Sequence, residues 1–208
     1  MDDKVLWQLS YGVYAVGVMD KDRPCGCIAN AFMQVTAVNP IVALSMNKEN
    51  YTSQVIRETK RFSISILSEQ TNPMVISALG FASGKNRDKY QRIGFDLLAG
   101  LPVVKDNCCG YLICEVISVS DAQTHEVILA RVVDAVMGVD ATPMSYEYYH
   151  KVIKGKAPKN APTYRHSETK KPVCEACGYV YEGTLESMPE DFHCPVCGAG
   201  KPVFKIKE

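Results

Sequence analysis

The residues most able to do chemistry lie near the end of the chain. Cys174 and Cys177 form one Cys-x-x-Cys pair and Cys194 and Cys197 a second, with 16 residues between them. Two such pairs let four soft thiolates take tetrahedral positions around one ion, the arrangement of zinc and of iron-sulfur chemistry. Glycine follows the second cysteine of each pair, at Gly178 and Gly198. It permits a turn that aims backbone N–H groups at sulfur, and such hydrogen bonds tune a reduction potential. Tyr179, Tyr181, Phe192 and Phe204 can form an aromatic shell that keeps water from the metal, a second influence on potential. A structural zinc has less need of that shell, so iron is favoured and a zinc ribbon is the alternative. A unit of ~35 residues is too small to build a sufficient core alone, so metal binding must supply much of its folding energy.

Elsewhere the chemical signals are weaker. No Gly-x-Gly-x-x-Gly occurs, and Gly80 to Asn86 misses the phosphate-loop pattern by one spacing residue and the final Ser or Thr. Cys25 and Cys27 form Cys-x-Cys without a second pair nearby, which favours ordinary thiols. Cys108, Cys109 and Cys114 read as loop and core residues. The total of nine cysteines is odd, and in a chain without a secretory signal thiols or metal ligands are expected rather than disulfides.

The elements that must position these groups read mainly as β-structure. Apolar or alternating runs mark strands at Val13 to Met19, Ile41 to Met46, Phe62 to Leu67, Tyr111 to Val119 and Val127 to Val136. Helices are expected from Tyr51 to Lys60 behind Asn50, and from Asn72 to Leu79, where Pro73 suits a first turn. Lys151 to Pro172 carries seven basic residues against one acid, with Pro158, Pro162 and Pro172 along it, and reads as a stiffened, solvated linker. The division is thus 1–150 as a barrel or sandwich body, 151–172 as linker and 173–208 as the four-cysteine unit. The body carries 13 basic and 16 acidic residues, and the tail three and six.

Composition excludes several classes. With 47% hydrophobic and 22% charged residues the chain is an ordinary globular sequence rather than a disordered one. Lys plus Arg equals Asp plus Glu at 23 each, so no overall field draws it to nucleic acid or anionic lipid. No run approaches the ~20 apolar residues of a membrane span, and the acidic start lacks the form of a secretory signal. A cytoplasmic protein is expected, which leaves the sequon at Asn50 idle.

The tail resembles rubredoxin. Cys-x-x-Cys-Gly-Tyr-x-Tyr is followed by Cys-Pro-Val-Cys-Gly-Ala-x-Lys-x-x-Phe, ending at Phe204. The loop between the pairs is shorter than in free-standing rubredoxins and Phe192 stands where Trp is usual, as in a trimmed, fused variety. The resemblance implies one iron per chain, cycling between ferric and ferrous. An electron source is then needed, and flavin suits because it takes a hydride and releases electrons singly.

Cys27 to Thr36, with Ala29-Asn30-Ala31, followed by Ser45-x-x-Lys48-x-x-x-Thr52, is similar to the FMN-binding split β-barrel flavin reductases and flavoredoxins. Phe81 to Lys89 and the Thr124-His125 pair extend the likeness over residues 5 to 150. By it the FMN contacts are Ala29, Asn30, Ala31, Gln34, Thr36, Ser45, Met46, Asn47, Lys48, Thr52, Gly84 and Lys89. His125 is placed beside the flavin or nicotinamide as a catalytic group. Singly, Asn30 and Gln34 read as turn caps, Ser45 as a strand-end serine and His125 as a structural hydrogen-bonder; their joint order favours the flavin.

The whole order resembles the fused carriers called high-molecular-weight rubredoxins. That likeness implies a homodimer that takes hydride from NADH or NADPH onto FMN and passes single electrons to iron. It further implies a flavodiiron protein that reduces O2 or NO as acceptor, in oxidative or nitrosative stress. Two other readings stand beside it: a flavoredoxin-type carrier reduced by a partner protein, and a non-redox zinc-ribbon module on an inactive barrel.

Overall fold

Burial on both faces or on one decides the strands. In β1 (Tyr14–Asp20) Ala15, Val16 and Val18 are all buried, as are Phe62, Ser63, Ile64 and Ser65 in β5 (Arg61–Leu67), so both lie in the middle of the sheet. β4 (Ile41–Asn47) alternates, with Val42, Leu44 and Met46 inward and Ala43, Ser45 and Asn47 outward. The computed structural model describes residues 2–85, 87–153 and 171–206; most of the expected linker lies outside them. With β2 (Arg23–Ala29), β3 (Phe32–Gln34), β8 (Cys108–Ala122) and β9 (His125–Met137), these strands form a seven-stranded sheet in the order β2-β1-β5-β8-β9-β4-β3. The chain is mainly β, as expected.

The two ends of that order, β2 and β3, are consecutive in the chain and joined only by Asn30 and Ala31. A sheet whose outer strands are tethered so closely must curl until its edges meet, which makes a barrel with a split between β2 and β3. Tyr14 packs edge-on against Phe32 across the split, ring centroids 5.1 Å apart. The run from Cys27 to Thr36 is therefore two strands and a corner, with Phe32 N donating to Asn30 O at 3.2 Å.

Three other elements had little sequence signal. β2 contains Pro24 and Gly26, which weaken a strand but are tolerated at a sheet edge. β6 (Phe95–Leu98) and β7 (Leu101–Val104) form a hairpin turned at Ala99 and Gly100, both at positive φ. The buried serines of β5 explain where β7 goes: Ser63 Oγ donates to Pro102 O, and Val104 N donates to Ser65 Oγ at 3.0 Å.

Both expected helices form. α1 (Tyr51–Thr59) starts at Asn50, whose Oδ1 accepts from Thr52 N at 2.9 Å. α2 (Pro73–Gly80) starts at Asn72 in the same way, with Pro73 in its first turn. A third helix, α3 (Tyr146–Lys151), runs through the boundary drawn at residue 150, and Ile153 beyond it packs on the body.

One core fills the barrel around Val16, Leu44, Ile56, Phe62 and Ile128; a second lies outside it under α2 and α3 around Leu67, Leu79, Met144 and Tyr149. The tail has its own, held by β10 (Pro172–Cys174) against β11 (Phe204–Ile206), so Pro172 starts the tail rather than ending the linker. Among the described residues no helix is long and apolar enough to cross a membrane.

Candidate functional site

The two cysteine pairs fold as matching knuckles. Gly178 N donates to Cys174 O and Gly198 N to Cys194 O, each at 2.8 Å, and both glycines take positive φ, 78° and 71°. That conformation suits a residue without Cβ. It turns backbone amides onto sulfur: those of Ala176 and Tyr179 reach Cys174 and Cys177, and those of Val196 and Cys197 reach Cys194. The four sulfurs of Cys174, Cys177, Cys194 and Cys197 lie within 4.8 Å of one another. Hydrogen bonding with Cys174 and Cys194, together with burial, pushes the Cys177 thiol up, while the bonds Cys194 makes with Cys174 and Cys177 draw it down. Four thiols so placed cannot all ionise beside one another unless a cation lies among them. The donor set and amide bonds fit a thiolate-held iron.

The aromatic shell forms as the sequence suggests. Phe192 stacks edge-on with both Tyr181 and Phe204, at 4.9 and 5.5 Å, and Tyr179 meets Phe204 at 6.4 Å. With Met188 these rings pack around the sulfurs, of which those of Cys174, Cys177 and Cys194 belong to buried residues and that of Cys197 to a half-buried one.

In the body, the barrel split gathers the second set of residues. Ser45 N donates to Ala31 O at 2.9 Å, so the corner Asn30-Ala31 lies directly beside β4. Pairing of β4 with β9 sets Asn47 opposite His125, and alternation puts Ser45, Asn47 and His125 on one outward face while Met46 points into the core. Ala29 and Ala31 leave the backbone open to a flat ring at this place. His125 Nδ1 lies 2.9 Å from Thr124 Oγ1, and its Nε2 is buried without a hydrogen-bond partner among the described residues. A buried, unpaired ring nitrogen on such a face suits a ligand with polar edges, such as flavin or nicotinamide.

A neighbouring cluster surrounds the start of α1. Thr52 is 1% exposed, with its Oγ1 facing Cys25 Sγ, and Gly84 lies against Cys25 and the Tyr51 ring. A Cβ on Gly84 would come within 2.4 Å of that sulfur, so the loop reaches this place only as glycine. Lys89 is buried beside it, but its ammonium donates to Gly26 O at 2.9 Å and Leu79 O at 2.7 Å. Burial holds its pKa below the ordinary lysine value and pushes the Cys25 and Cys27 thiols up, which suits unreactive thiols. The Tyr90 hydroxyl beside Gly26 is buried without a partner among the described residues.

Three expected contacts are engaged elsewhere. Thr36 staples the β3–β4 turn, donating to Asn39 O at 3.1 Å and accepting from Ile41 N at 2.9 Å. Gln34 donates to Thr36 O at the same end, away from the split. Lys48 is paired with Asp121 at the surface, and that bond holds the Asp121 carboxyl below its usual range.

The structure adds a group to which the sequence reading gave no role. Glu126, 4% exposed, receives Arg57 Nη1 on both oxygens at 2.8 Å and the Ser53 hydroxyl. The signals were an acid at the head of the apolar run Val127 to Ala130 and an i,i+4 pair on α1, neither informative without the other. This buried pair ties α1, which carries Thr52, to the strand that carries His125.

With the geometry in place, comparison with known proteins is specific. Residues 6–157 match the flavin reductase like domain family. The chain is 36% identical to a high molecular weight rubredoxin of Moorella thermoacetica, over 99% of both proteins. It is 31% identical to a ferric-chelate reductase (NAD(P)H) of Archaeoglobus fulgidus, over 81% of this chain and 100% of that protein. The solved FMN-binding protein of Thermus thermophilus shares the fold, with a TM-score of 0.57 and 23% identity over 62% of this chain and 72% of that one.

Proposed function

This chain belongs to the flavin reductase-like family, in the fused form that ends in a rubredoxin domain, and from that premise we propose that it is an NAD(P)H-dependent oxidoreductase. In this reading electrons pass through FMN to the four-cysteine iron and on to a flavodiiron-type O2 or NO reductase in the cytoplasm. The observation that carries it is the presence, in one chain, of a reductase barrel with an open polar face and a buried set of four thiols. FMN accepts a hydride when bound and releases its two electrons singly, which matches a one-electron iron.

The residues around the split have separable tasks. Asn30 at the corner and Asn47 on β4 offer amides to the edges of the ring, Asn47 with its Oδ1 already accepting from Glu49 N, and the Ser45 hydroxyl shares the outward face of Asn47. His125 orients the nicotinamide or the flavin edge through Nε2, its Nδ1 held by Thr124. The N-terminal turn of α1 suits a phosphate, whereas Thr52, buried with its amide capped by Asn50 and its hydroxyl toward Cys25, supports that turn from within, and Lys89 fixes the nearby strand rather than facing the ligand. In the tail, the amide bonds and aromatic shell set the potential, and Cys174, Cys177, Cys194 and Cys197 hold the iron. A homodimer is supported by exposed apolar residues along β8 and β9 and at β3 and its end, among them Ile117, Val119, Val133, Met33 and Val35.

Anaerobic stopped flow tests the proposal. NADH or NADPH should reduce the flavin and then bleach the ferric-thiolate band within one turnover, and His125→Ala should slow flavin reduction with FMN affinity little changed. Purified protein whose iron is bleached only when a partner reductase is added, and never by either nucleotide, would refute nucleotide-driven reduction and leave a carrier.

A further inference from the structure

The two knuckles are alike in their backbone hydrogen bonds, with Cys174 N donating to Tyr179 O and Cys194 N to Ala199 O, each at 2.8 Å. Their outer cysteines nevertheless differ in exposure. Cys177 is 2% exposed and Gly178 is buried, whereas Cys197 is half-buried and Gly198 is exposed.

The body supplies cover for the first knuckle. Ser77 of α2 donates its hydroxyl to Ala176 O at 3.2 Å, at the tip of that knuckle. Around this bond Pro73, Ile76, Tyr149 and Ile153 line one side of a narrow cleft, and Cys177, Tyr179 and Val196 the other. Tyr149 is buried on α3 and lines this cleft together with Cys177.

That shelf leads to the flavin strand. α2 rests on β2, where a Cβ on Gly80 would sit 3.5 Å from Ile28 Cγ1, and Lys89 bolts the two elements together through Leu79 O and Gly26 O. β2 runs from there into Asn30 and Ala31 at the split. A packed, hydrogen-bonded route therefore joins Cys177, through Ala176, Ser77 and α2, to the corner beside the flavin face.

We infer that the α2–α3 shelf is a docking site for the first knuckle, that Cys177 is the thiolate through which electrons reach the iron, and that the open Cys197 side is where the acceptor takes them. The inference rests on the function proposed above and gives that electron path a direction. Each transfer moves one electron from flavin to ferric iron, giving ferrous iron, with no bond made or broken; the two electrons of each hydride cross in two such events.

The test uses full-length protein carrying FMN and iron, as wild type, Ala176→Arg, Val196→Glu and Glu186→Arg. The first two changes strike the seam from either knuckle; the third places the same cation on an exposed loop outside it. Stopped flow reads bleaching of the ferric band after flavin reduction, and hydrogen exchange reads the peptide 73–80. Ala176→Arg should keep the ferric spectrum, slow bleaching by about tenfold as overpacking shifts the docking equilibrium, and raise exchange in 73–80. Glu186→Arg should do neither. If Ala176→Arg loses its ferric spectrum, the bleaching rate and exchange of Val196→Glu decide between docking and its absence. Wild-type bleaching rates with unchanged exchange in a seam variant overturn the inference. Wild type whose flavin is reduced by neither nucleotide would instead refute the donor, and electrons supplied photochemically to the flavin would still read the seam.

Discussion

Replacing Arg57 by alanine should weaken both the body and its hold on FMN. Glu126 is 4% exposed, and the two 2.8 Å bonds from Arg57 Nη1 leave the Ser53 hydroxyl as its other donor. Stripping one partner from a fully buried pair costs about 3–5 kcal/mol, because a charge is left without compensation. The Arg57 side chain is 36% exposed, so water can reach the carboxylate once the guanidinium is gone. The cost should fall to about 2 kcal/mol. For a body of this size each kcal/mol moves Tm by about 2–4 °C, so a drop of about 4–8 °C is expected in thermal unfolding at fixed, saturating FMN. Because Glu126 sits next to His125 and anchors α1 at the turn after Thr52, the FMN dissociation constant from fluorescence titration should rise as well. Adding Glu126→Gln to Arg57→Ala removes the orphaned charge and should recover about half of the loss. A single variant within about 0.5 kcal/mol of wild type, or a double variant that recovers nothing, would show that the pair does not join helix to strand in this way.

Asn30→Ala should raise the FMN dissociation constant about tenfold, the worth of one hydrogen bond to a ring edge, with the ferric spectrum unchanged; equal affinity would remove Asn30 from the site. Cys194→Ala should abolish the ferric-thiolate band and loosen the tail to proteolysis while the body keeps FMN, since tail and body have separate cores. Burial pushes the Cys114 thiol from an ordinary value of 9.0 up to about 12, so the folded body holds a proton that the unfolded chain releases. The stability this provides is complete below pH 9.0 and is lost as pH rises toward about 12. Denaturant titrations of Cys114→Ala should therefore show a gap from wild type that narrows over that interval, and a constant gap would refute the assignment. Gly17→Ala would put a Cβ 2.1 Å from Pro102 O and 2.4 Å from Ser63 Oγ, so β7 must lift from β5, costing about 1–3 kcal/mol in denaturant titration; an unchanged midpoint would show that β7 moves freely.

The parts legible in the sequence are those whose cause is local. Asn50 and Asn72 mark the helix starts because a cap bonds an amide two residues on, and the alternation of β4 is written in seven consecutive residues. β2 was hidden because Pro24 and Gly26 are poor strand residues, acceptable only where no further strand must pair. Lys89 and Thr36 look like ligand donors in one dimension; only packing turns Lys89 onto two carbonyls and uses Thr36 in a turn.

By itself the sequence determined the metal site, because two Cys-x-x-Cys-Gly knuckles carry their own geometry in adjacent residues, and it determined a mainly β body with its first two helices. Only the tertiary structure decided that β2 and β3 meet at Asn30, that Glu126 closes on Arg57, and that Ser77 meets Ala176 across 99 residues. Those contacts depend on barrel closure and on the seating of one lobe on another, and both follow from which surfaces are left to be buried once the local elements have formed.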